Sequence, residues 1–97
     1  MSALENALAA LAASGQTTSY GALARDLGLR MGELTAALET LMEEDAALGR
    51  PFRAVVVHAR GGSLPARGFF DKAAELGRPA PDPAAFVAAE RRALTRP

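Results

Sequence analysis

A single histidine, His58, and no cysteine in 97 residues narrow the chemistry these side chains can do. Without cysteine there is no thiol nucleophile, no disulfide and no thiolate zinc site, and one histidine cannot form a metal-binding cluster. A serine nucleophile would need His58 as its base and a carboxylate behind it. Ser63 and Asp71 are near His58 only along the chain, so His58 reads as a structural residue. The run Arg60-Gly61-Gly62-Ser63 lacks the Lys-Ser/Thr of a P-loop and the strand-to-helix setting of a dinucleotide fingerprint. The expectation is a non-enzymatic protein with no cofactor and no metal. Binding chemistry remains, carried by hydroxyls and guanidinium groups. Tyr20 can give its hydroxyl to a phosphate. Arg30 can fork onto guanine, and Thr35 can meet a thymine methyl or a phosphate. Arg50, Arg53, Arg60 and Arg67 bracket one stretch rich in β-branched residues.

These residues need elements to hold them. Leu4, Leu8 and Leu11 fall at helical spacing, with Ser2 and Glu5 in a capping-box pattern and Gly15 as terminator. Thr17, Thr18 and Ser19 can each cap a short second helix over Tyr20 to Leu27. Gly28 permits a tight turn that Leu29 plugs. A third helix is predicted from Met31 to Leu48, with Leu34, Leu38, Leu41, Met42 and Leu48 inward and its acids mostly solvated. Helix, short helix, glycine turn and helix make a helix-turn-helix arrangement. Residues 52–59, FRAVVVHA, concentrate β-branched residues between breakers and read as a strand. Arg60 to Ser63 then form a flexible turn, and Leu64 to Ala66 return as an edge strand, where Pro65 is tolerated. A regular strand would put Arg53 and His58 on opposite faces. A short helix follows Gly68. Gly77 to Pro81 form a stiff linker, and Asp82-Pro83 starts a last helix, with Phe86, Val87 and Leu94 packing within the same chain.

The expected fold is thus mainly α with a small β-hairpin: a winged helix-turn-helix domain over residues 1–77, then a linker and C-terminal helix over 78–97. Apolar residues make up 49%, yet many are alanine and the core is thin. No run reaches the roughly 18–20 apolar residues that cross a bilayer, and the N-terminal stretch carries an acid and no base, unlike a signal peptide. These features predict a soluble, cytoplasmic protein.

Formal charge is zero, but it is unevenly spread. Residues 1–49 hold Arg25 and Arg30 against Glu5, Asp26, Glu33, Glu39, Glu43, Glu44 and Asp45, whereas residues 50–97 are correspondingly basic. The third helix, which should enter the major groove of DNA, is therefore acidic beyond its first residues. Only its basic N-terminal end can approach a duplex. The basic wing points to phosphate contacts. The opposed charges also suit association with a protein partner or a second copy.

The stretch TTSYGALARDLGL resembles the start of the DNA-binding domain of the alkylguanine-DNA alkyltransferases and their alkyltransferase-like relatives. There a T-x-Y-G stretch, here opened by Thr18, begins the second helix, and its tyrosine lies against DNA phosphate. Gly68-Phe69-Phe70 and Lys72 extend the similarity. The resemblance implies a DNA-binding winged helix, without the alkyl-transfer chemistry. The region corresponding to the family's P-C-H-R motif reads Val56-Val57-His58-Ala59, and no cysteine or tryptophan exists. The arginine that the family inserts into the base stack corresponds to Leu34. The segment PFRAVVVHARGGSLPARGFF also resembles one recurring in small uncharacterised bacterial proteins with a helix-turn-helix. Together these readings predict a bacterial protein binding double-stranded DNA through Thr18, Tyr20, Arg30, Thr35, Arg53, Arg60 and Arg67. A protein–protein interaction module, self-associating or not, is the alternative.

Overall fold

The computed structural model describes residues 2–95. Helix α1 spans Ala3–Ser14 and begins in the predicted capping box, Ser2 Oγ accepting from Glu5 N–H while the Glu5 carboxylate accepts from Ser2 N–H. A two-residue strand β1, Thr18–Ser19, leads directly into α2, Tyr20–Leu27. Of the three candidate caps Ser19 serves, its Oγ accepting from Ala22 N–H at 3.1 Å. Gly28 ends α2 at φ 67°, a left-handed conformation that costs an ordinary L-residue about 1–2 kcal/mol. Its N–H donates to Arg25 O, and Leu29 N–H donates to Ala24 O at 2.9 Å, so the turn satisfies the last carbonyls of the helix. Helix α3 follows at once, Met31–Ala47.

Leu34, Leu38, Leu41 and Met42 are buried, as their spacing predicts. Leu48 was expected on the same stripe, yet it is 67% exposed. The chain leaves helical geometry there, at φ −93° and ψ 1°, so the helical rotation no longer aims it at the core.

The predicted hairpin over residues 52–66 is replaced by a different arrangement. Arg53–Val56 form one 3-10 turn, and strand β2, Val57–His58, pairs in parallel with β1, Thr18 opposite Val57 and Ser19 opposite His58. The burial explains the difference. Phe52 and Ala54 to Val57 are all buried, whereas successive residues of a half-exposed strand alternate between faces. A nearly unbroken buried run belongs at the centre of the molecule. The expected return strand is reduced to one ladder-like bond, Ala59 N–H to Leu64 O at 2.8 Å.

Helix α4, Arg67–Glu75, then buries Phe69 and Ala73. Helix α5, Pro83–Thr95, starts at the predicted signal, Asp82 Oδ1 accepting from Ala85 N–H at 3.1 Å, and buries Val87. Phe69 is the aromatic hub, edge-on to Phe52 at 5.8 Å, to Phe70 at 5.1 Å and to Phe86 at 6.3 Å, arrangements favoured by aromatic quadrupoles. The protein is mainly helical with one small parallel sheet. None of the described helices is long and apolar enough to cross a membrane.

Candidate functional site

Two groups of basic residues stand out in the structure. The first gathers around the C-terminal end of α3, where backbone carbonyls concentrate partial negative charge. Asp45 lies there, fully buried. Its carboxylate accepts from Arg50 Nε at 2.6 Å, from Arg53 Nε at 3.0 Å and from Arg53 N–H at 2.9 Å. Arg53 also donates through Nη1 to Glu5 at 3.0 Å, and Nη2, buried without a hydrogen-bond partner, lies 3.7 Å from Glu44. Burial alone would lower the Arg53 pKa, but the bonds to Asp45 and Glu5 outweigh it and raise the pKa above the usual arginine value. Glu5 is held below its ordinary value by the Ser2 backbone bond first and by Arg53 second. Arg78 lies 4.4 Å over the Phe52 ring and 3.5 Å from Glu90, which accepts from Phe52 N–H. Lys72 pairs with Glu43 at 2.8 Å.

The second group surrounds an open groove of about 710 Å³. Leu38, Met42, Ala54 and Phe69 form its apolar floor, and Met31, half-exposed, stands on its wall. Tyr20, Arg25, Thr35, Glu39 and Arg60 also line it. Arg30 precedes Met31 as the residue before α3, and Arg67 lies between the lining residues Ala66 and Gly68. Arg25, Arg30, Arg60 and Arg67 are exposed. Only Arg67 has an ion-pair partner among the described residues, Asp71 at 3.8 Å, and both are open to water. Such a pair is heavily screened.

Tyr20 ties the groove to the loop beside it. Its hydroxyl accepts from Ala66 N–H at 3.0 Å, and the hydroxyl proton remains available to an acceptor in the groove. Burial pushes its pKa above the ordinary phenol value, the Ala66 bond opposing this only in part. His58 is half-buried with Nδ1 3.0 Å from Ala59 O. No group of three or more potential metal ligands occurs among the described residues.

Of the seven residues expected at a nucleic-acid surface, Tyr20, Thr35 and Arg60 line the groove and Arg30 and Arg67 flank it. Thr18 is half-buried in β1, opposite Val57. Arg53 points elsewhere, locked among Asp45, Glu5 and Glu44. The 3-10 turn, replacing the expected strand, carries it against the end of α3. Sequence reasoning missed Arg25, and it also missed the buried role of Asp45, having expected the acids of α3 in solvent. The second signal was present: residues 34, 38, 41, 42 and 45 follow one helical stripe, so the periodicity that buries the leucines also buries Asp45.

No match to the chain is found among known protein families, among curated proteins or among solved structures.

Proposed function

We propose that this protein is a non-enzymatic DNA-binding module of helix-turn-helix type, in which the loop of residues 59–66 stands in place of a hairpin wing and which meets a duplex with the face that carries the groove. The observation that supports this reading is the partition of charge. Arg25, Arg30, Arg60 and Arg67 stand exposed on or beside one concave surface, while most acids of α3 have partners away from it. Asp45 is held by Arg50 and Arg53, and Glu43 by Lys72. Glu44 lies 3.7 Å from Arg53; Glu33, by contrast, stays at the N-terminal end of α3, accepting from Arg30 N–H at 2.8 Å. Only Glu39 of that helix lines the groove. An acidic helix can then approach DNA by its N-terminal end, with Tyr20 and the four arginines on phosphates and Thr35 near a base edge.

The test is fluorescence anisotropy with random-sequence duplex across a salt series. Four phosphate contacts give a slope near −3.6, so affinity falls about 150-fold between about 50 and 200 mM salt. An Arg60→Ala, Arg67→Ala double variant should halve the slope and fall only about 12-fold over that range. Absence of binding at the lowest salt would overturn the reading. The apolar floor with half-exposed Met31 favours a second reading in that event, a groove that takes an apolar segment of a protein partner.

A further inference from the structure

Residues 60–63 read as a flexible turn in sequence, but the structure pins the loop of residues 59–66 from two sides. Arg91 of α5 reaches across the 3-10 turn and donates from Nε to Val55 O at 2.9 Å and from Nη2 to Ser63 O at 2.7 Å. On the far side, Ala66 N–H donates to the Tyr20 hydroxyl. Inside the loop, Ala59 N–H donates to Leu64 O, and Gly62 N–H to Ala59 O at 3.3 Å. Arg60 sits between these anchors and on the groove wall.

We infer that Arg91 is a positioning residue: its two-pronged bond to Val55 O and Ser63 O fixes the loop that aims Arg60 at the groove, making the C-terminal helix part of the binding device. The chemistry favours arginine. A planar guanidinium can bond two carbonyls from separate segments at once, whereas a lysine ammonium is a compact charge on a flexible stem. Hydrogen bonds from a charged donor are the stronger kind, and no carboxylate within 4.0 Å competes for Arg91 among the described residues. A pinned loop loses less freedom when Arg60 engages a ligand, and preorganisation of that kind raises affinity without adding a contact.

The consequence for DNA rests on the proposed function; the consequence for the loop does not. Amide hydrogen exchange at Ala59 and Gly62 should therefore be compared in wild type, Arg91→Ala and Arg91→Lys, with Leu34 and Val87 as core controls. Loss of the charged bonds should speed exchange of the loop amides about tenfold or more in both variants while the core amides stay protected. In wild type, Arg60→Ala should weaken duplex binding about eightfold at about 0.1 M salt, the weight of one phosphate contact. In the Arg91→Lys background, which keeps the charge, that loss should shrink to under about threefold, since an untethered loop forfeits the preorganisation. Unchanged loop exchange in either Arg91 variant would overturn the inference, as would an undiminished effect of Arg60→Ala in the Arg91→Lys background. If the wild type fails to bind duplex, the DNA reading falls, and loop exchange alone decides the positioning role.

Discussion

Replacing Asp45 by asparagine tests the physical heart of this fold. The carboxylate is fully buried and receives three short bonds from Arg50 and Arg53. Asparagine keeps the shape but removes the charge and turns one acceptor into a donor that faces guanidinium donors. Breaking a buried ion pair by removing one partner costs about 3–5 kcal/mol. The lower end applies here, because Glu5 still neutralises Arg53 and Arg50, 43% exposed, can turn to water. A loss of about 3 kcal/mol is a large share of the about 5–15 kcal/mol that holds a domain together. It corresponds to a fall in melting temperature of about 12–24 °C for a domain of this size. In urea the midpoint should drop by about 1–3 M at unchanged slope. Circular dichroism melts and urea titrations of wild type and variant read both quantities. The double variant Asp45→Leu, Arg53→Met should lose less than the sum of its single changes, because neither charge is then buried alone. A loss below about 1 kcal/mol for Asp45→Asn, the range of an exposed pair, would refute the argument: the carboxylate would then be hydrated in solution and the arginines merely nearby.

Two further predictions concern the second helix. Tyr20 is the only tyrosine and there is no tryptophan, so a tyrosinate absorbance titration reads this residue alone. Its folded pKa is raised by burial, so its contribution is complete below the unfolded pKa of about 10 and is lost as pH rises through the folded value. The titration midpoint should therefore lie above that of the urea-unfolded chain, and a midpoint at or below it would contradict the burial. Ser19→Ala removes the Oγ that accepts from Ala22 N–H and should lower stability by about 1 kcal/mol; an unchanged urea midpoint would show that water replaces the cap at no cost.

Local signals were legible wherever one residue suffices to decide the backbone. Ser2 with Glu5, Ser19, Gly28 and Asp82-Pro83 mark helix ends by chemistry that acts within four residues, and α1, α2 and α5 begin at or within a residue of those signals. The stretch from Phe52 to Ala66 was misread because β-branched composition suits a buried 3-10 turn as well as a strand. Periodicity cannot separate the two when Ala54 to Val57 are all buried. Leu48 failed for a complementary reason: the helical stripe predicts burial only while the helix lasts.

The candidate site follows the same division. Types and order of residues placed Tyr20, Thr35 and Arg60 in plausible roles, since a helix start, a helix face and a glycine-flanked turn are local features. Whether an arginine is available is not local. Arg53 and Arg60 are indistinguishable by type and close in sequence, yet one is locked against Asp45 and Glu5 and the other stands exposed on a groove. That choice depends on partners such as Glu5, 48 residues from Arg53. The sequence by itself determined the starts of α1, α2 and α5 and the side chains that cap them, because those energies arise between near neighbours. Only the tertiary structure decided which charges cancel inside and which remain exposed, because electrostatic pairing depends on distance in space and on burial.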